Sequence, residues 1–106
     1  MRNEFATIFR RLSDFDIAIT GSALHDYDGA RDIDILFPAS QDFRQLAAEL
    51  GIPYRGGFEG IGGRVHSLHY KMDGLYKDLN LIQREGIEDV QDWPQMTLMR
   101  SGRVYN

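Results

Sequence analysis

A chain of 106 residues, 42% hydrophobic and 26% charged, is long enough for one domain with a buried core and too short for a second. Its formal charge of −4 argues against a broad basic footprint for a nucleic-acid backbone, and the lack of cysteine excludes disulfides, zinc–thiolate sites and thiol nucleophiles. Any metal must bind through oxygen or imidazole. The apolar runs fall far short of a membrane span, and the start Met1-Arg2-Asn3-Glu4 lacks the basic-then-apolar order of a signal peptide, so the expected setting is cytoplasmic.

Phe5, Ile8, Phe9 and Leu12 fall at helical spacing with Arg10 and Arg11 outside the stripe, which predicts a first helix over 3–12. Phe15 to Thr20 is rich in β-formers and reads as a buried strand that Gly21 ends. Ser22 to Tyr27 reads as a short helix, Asp28-Gly29 as a turn, and Ile33 to Phe37 as a strand closed by Pro38. Ser40 is the expected N-cap of a helix carrying Phe43, Leu46, Ala47 and Leu50, with Gly51 at its C′ position.

Residues 51–63 hold six glycines and one proline, which predicts a loop or an irregular strand near the ligand. Arg64 to Met72 and Leu75 to Ile82 flank Asp73-Gly74, the signature of a two-residue hairpin. From Gly86 onward, Ile87, Val90, Trp93, Met96, Leu98 and Met99 suggest one or two short helices over an exposed face. There is no internal repeat and no linker, so residues 1–106 are read as a single domain.

The chemistry is carried by acids. An Asp-x-Asp spacing occurs three times, at Asp14/Asp16, Asp26/Asp28 and Asp32/Asp34. The first pair flanks a strand start and the second sits in a turn, where such residues hydrogen-bond backbone. Only Asp32 and Asp34 alternate with large apolar residues, Ile33 and Ile35. In a strand they share a face, about 7 Å apart. Two carboxylates so placed repel each other unless a cation or proton intervenes, and hard oxygen ligands suit Mg²⁺.

Gly21 and Ser22 stand ten residues ahead of Asp32, where glycine lets backbone approach a phosphate and the serine offers a hydroxyl and an amide at a helix start. Asp78, in Tyr76-Lys77-Asp78-Leu79-Asn80-Leu81-Ile82, shares a side with Asn80 and Ile82 and is the candidate general base for an attacking hydroxyl. His66 and His69 are three apart in a strand, hence on opposite faces, and do not suit one metal. His25 reads as a surface histidine, and Arg31, Arg55, Arg64 and Lys77 as solvated charges before phosphate contacts. A calcium loop from Asp26 fails at Arg31 and Phe37, and a nucleophile elbow at Ser22 fails at Leu24.

Gly21-Ser22, Asp32-Ile33-Asp34 and Asp78 among β-formers together resemble the nucleotidyltransferase superfamily that includes DNA polymerase β, most closely its minimal single-domain members. Residues 21–26 through 31–34 are also similar to the tRNA CCA-adding branch, which has arginine where His25 stands. The resemblance covers 15–82 and implies an α/β (α+β) fold, a small mixed β-sheet with helices packed on one face. It also implies that Gly21 and Ser22 hold a nucleoside triphosphate such as ATP, and that Asp32, Asp34 and Asp78 are catalytic and bind two Mg²⁺, with Mn²⁺ as a substitute. The reaction implied is transfer of a nucleoside monophosphate to a hydroxyl of a protein, an RNA or a small molecule.

The chain departs from that pattern at Lys77, which replaces an apolar neighbour of the third acid, in the glycine-rich 56–63, and in lacking an acceptor-binding domain. The lack of that domain leaves open a helical partner protein, self-association into a homo-oligomer, or an inactive antitoxin-like binding module.

Overall fold

The computed structural model describes residues 1–60, 62–94 and 96–106. Among them the chain runs α1 (Asn3–Arg11), β1 (Ala18–Thr20), α2 (Ser22–His25), β2 (Asp32–Leu36), α3 (Phe43–Leu50), β3 (Gly57–Gly60), β4 (Gly63–Tyr70), β5 (Asp78–Arg84), β6 (Leu98–Arg100) and β7 (Arg103–Tyr105). The strands form one mixed sheet in the order β3-β4-β5-β2-β1-β6-β7. Among the described residues only β2 and β5 run parallel, so the fold is the mixed α/β type expected.

The stripe of α1 buries Phe5 and Ile8, with Leu12 just beyond its end, and α3 buries Phe43, Leu46 and Ala47. Both helices lie on the face of the sheet that carries Ile19, Ile33, Ile35, Leu79 and Leu81. At the end of β2 the fully buried Phe37 meets Phe15 and Phe43 edge-on, each with ring centroids 5.6 Å away. The opposite face is smaller and is covered at one end only. There Val90, Trp93 and Leu98 pack on Ala18 and Leu36.

Several boundaries differ from the sequence reading, each for a local reason. The first strand is Ala18–Thr20 rather than 15–20, and α2 stops at His25 rather than Tyr27, because the Asp26 carboxylate folds back to accept from Gly29 N–H and tightens the turn. The cap of α3 is Asp42 rather than Ser40: its carboxylate accepts from Arg44 N–H and Gln45 N–H at 3.0 and 3.1 Å. Gly51 does end that helix, left-handed at φ 72°. Of residues 51–63, the stretch to Gly56 is loop and Gly57–Gly60 is strand; Ile61 lies outside the described residues.

The connection after β4 is longer than a two-residue hairpin, since the ladder ends at Tyr70↔Leu79. Asp73-Gly74 makes its turn, with Leu75 N–H donating to Met72 O at 3.2 Å and Gly74 at φ 89°. Met72 and Leu75 both drop into the core, the Lys77 ammonium donates to Ala30 O at 2.6 Å, and the arm rejoins β4 only at Leu79. The tail is chiefly strand rather than helix. Beyond one 3₁₀ turn at Val90–Asp92 it forms the β6–β7 hairpin, whose turn residues Ser101 and Gly102 both have positive φ, as a type I′ turn requires.

Candidate metal and nucleotide site

The parallel register of β2 and β5 sets Asp32 opposite Asp78 and Asp34 opposite Asn80. Paired positions on neighbouring strands point the same way, so all four side chains stand on the face opposite the helices, next to the end that the tail covers. Asp32 and Asp34 are half-buried and Asp78 is exposed. Asn80 donates through Nδ2 to Asp34 Oδ1 at 3.1 Å, while its own Oδ1 is buried and has no hydrogen-bond partner among the described residues.

Gly21 comes to the same place from β1. Thr20 pairs with Asp34, so the residue after it passes directly over the Asp34 carboxylate. A Cβ on Gly21 would collide with Asp34 Oδ2, and Gly21 also has φ 84°, a region side chains avoid. Both constraints demand glycine. Gly21→Ala is therefore expected to cost about 1–3 kcal/mol of stability from backbone strain alone and to push the carboxylate aside. A urea midpoint equal to that of the wild type would show the strain to be absent. Ser22 is exposed at the start of α2, a single turn whose dipole is correspondingly small, so its hydroxyl and amide matter more than the helix behind them.

Burial pushes the Asp34 carboxyl above its ordinary value of 3.8; the Asn80 hydrogen bond pulls the other way, and the nearby Asp32 charge adds to the rise. A carboxyl whose folded pKa is raised stabilises the fold below its unfolded pKa and loses that contribution as pH rises through the folded pKa. Asp34→Asn, which can still accept from Asn80, is expected to raise Tm at neutral pH without metal, and to have no effect well below pH 3.8. The gain stays below about 1 kcal/mol because solvent screens a half-exposed group. Thermal melts across that pH range with EDTA test it, and a neutral-pH loss of stability would contradict it.

The donor set is all oxygen, the chemistry of a Mg²⁺ or Mn²⁺ site rather than of zinc or copper. The orphaned Asn80 Oδ1 adds a further neutral oxygen on that face. As they stand, the acids share a face without closing on one point: among the described residues no group of three or more Asp, Glu or His side chains is gathered to hold a metal ion.

The sequence-predicted cations divide. Arg64 is committed to Glu59 at 3.2 Å and to Gly57 O, and Lys77 to Ala30 O and the Tyr27 ring, so both serve the fold. Arg31 and Arg55 are exposed and make no ion pair among the described residues. His66 and His69 do lie on opposite faces: His66 meets the Tyr54 hydroxyl at 3.0 Å, whereas His69 pairs with Asn80 on the acidic side. Sequence reasoning put Asn80 on the side of Asp78 but missed its bond to Asp34. The Asp78-x-Asn80 spacing was the available signal, unreadable without the β2–β5 register. In comparisons with protein-family models, with curated proteins and with solved structures, nothing matches this chain.

Proposed function

We propose that the chain transfers a nucleoside monophosphate from a nucleoside triphosphate to an acceptor hydroxyl, with Mg²⁺ held by Asp32, Asp34 and Asp78. The observation that carries this reading is the parallel register that sets Asp32 across from Asp78, with Asp34 on the same open face. Divalent cations bound there would neutralise phosphate charge and orient the triphosphate. Gly21, whose missing side chain makes room for the Asp34 carboxylate, would offer its backbone to a phosphate on its other side, and the exposed Ser22 hydroxyl would donate to one. Asn80 fixes the Asp34 carboxylate. Asp78, the most exposed of the three acids, would take the proton of the acceptor hydroxyl.

Pyrophosphate release from each of the four ribonucleoside triphosphates, with Mg²⁺ and with EDTA, tests the reading, alongside label transfer from an α-labelled triphosphate to components of a lysate. Metal-dependent release is the expected result. Binding of Mg²⁺-nucleotide without release would identify an inactive nucleotide-binding module, and no nucleotide binding at all would remove the transferase and leave only an antitoxin-like module that binds a partner protein. The acceptor is a hydroxyl of a protein, an RNA or a small molecule, reached alone, as a homo-oligomer or with a helical partner.

A further inference from the structure

The sheet splays open at one edge. β3 pairs with β4 only from Gly57↔His66 to Gly60↔Gly63, whereas β4 runs on to Tyr70. Glu85 N–H donates to Arg64 O at 2.9 Å, so by alternation residues 64, 66, 68 and 70 turn their backbone polar groups toward β5, and 65, 67 and 69 turn theirs outward. Val65 finds Phe58 on that outer side. Among the described residues Ser67 and His69 have no partner strand there, since the ladder ends at Gly57↔His66, next to Gly56 at φ 79°. The gap is a cavity of about 650 Å³, within the range of small-ligand sites.

Its lining is specific in kind. Of the six phenylalanines, Phe58 alone is exposed, at 56%, and it lines the cavity beside Arg55, Ser67 and His69. Arg55 is an unpaired cation among the described residues. A strand-edge residue offers an N–H and a C=O side by side, matching the donor–acceptor pair on a nucleobase edge, while an exposed aromatic ring stacks on a base and a guanidinium takes a phosphate. An extended peptide adding as a strand would need a longer open edge than Ser67 to His69 before the ladder ends at Tyr70.

The cavity is not the place expected for the triphosphate. Gly21 and Ser22 lie at the β1 side of Asp34, whereas β4 lies two strands away on the other side, about 10 Å off at ordinary strand spacing. We propose that this cleft is a second site, which binds a nucleoside 5′-monophosphate with its base on Phe58 and the Ser67–His69 edge and its phosphate on Arg55. A free nucleotide and the terminal residue of an RNA present that same chemistry. Binding here needs neither the acids nor a metal.

The test is a titration of the ¹⁵N-labelled chain with 5′-AMP in EDTA, read by amide shifts. Saturable shifts at Gly56–Phe58 and Ser67–His69 are expected, with affinity falling roughly tenfold in Phe58→Ala and in Arg55→Ala. Both side chains are exposed, so the variants should keep the wild-type circular dichroism. No saturable shift at these amides, or an affinity that neither substitution changes, would overturn the proposal. A short oligoribonucleotide that outcompetes AMP identifies the ligand as an RNA end; one that does not identifies the free nucleotide. AMP binding here without any pyrophosphate release elsewhere would sink the transferase reading alone, and release without AMP contact here would sink this one alone.

Discussion

Asp32→Ala or Asp34→Ala is expected to reduce the proposed Mg²⁺-dependent transfer by about a thousandfold or more, equivalent to ~4 kcal/mol of transition-state stabilisation. The same substitutions should leave the fold intact. Neither carboxylate makes an ion pair among the described residues, and each is half-buried on the open face rather than packed in the core. Removing Asp32 relieves Asp34 of a like charge, so metal-free melts of Asp32→Ala should show an unchanged or slightly higher Tm, whereas in Asp34→Ala the loss of the Asn80 hydrogen bond offsets that relief. The opposite outcome, variants that lose structure while the wild type shows no metal-dependent turnover, would make the acids structural partners. Mg²⁺ together with a nucleotide should raise the Tm of the wild type, since a ligand that binds only the folded state stabilises it by mass action. In either alanine variant that increment should shrink or vanish.

The largest expected effect on stability lies elsewhere, at Phe37. Its ring is fully buried at the end of β2, wedged edge-on between Phe15 and Phe43, and its N–H donates to Ile82 O at 2.8 Å. Phe37→Ala keeps the backbone bond but empties the centre of the helix-side core, for a cost of about 3–5 kcal/mol. Against a total stability of roughly 5–15 kcal/mol, that is enough to leave a sizeable unfolded fraction. Urea denaturation gives the number, with the exposed Val104→Ala as a control expected within about 0.5 kcal/mol of wild type. A Phe37→Ala loss under 1 kcal/mol would mean that the two remaining rings, Phe15 and Phe43, repack into the space.

Local pattern made much of this molecule readable. Of the stripes Phe5-Ile8-Phe9-Leu12 and Phe43-Leu46-Ala47-Leu50, all are buried except Phe9 and Leu50, which pack partly buried against the core, and Gly51 stops α3 because only a residue tolerant of φ 72° can. The alternation Asp32-Ile33-Asp34-Ile35 placed the acids on one face and the isoleucines on the other, as β2 shows. Local pattern failed where a distant contact outweighed it. Apolar spacing in the tail suggested helix, but the free edge of β1 offered Leu98 and Met99 a strand to pair with, and Ser101-Gly102 a tight turn to return through. Asp73-Gly74 suggested a minimal hairpin, but burial of Met72 and Leu75 lengthened it.

By itself, then, the order of residues determined which side chains share a face and could carry the proposed chemistry, because strand periodicity acts over two residues and needs nothing from the rest of the chain. Whether those side chains meet was a matter for tertiary structure. Asp32 and Asp78 stand 46 positions apart, and only the parallel pairing of β2 with β5, reached after an intervening helix and two strands, brings them opposite each other. Gly21 above Asp34 and the cleft beside Phe58 likewise exist only through strand register, which is set by burying one whole face of the sheet at once rather than by any short stretch of sequence.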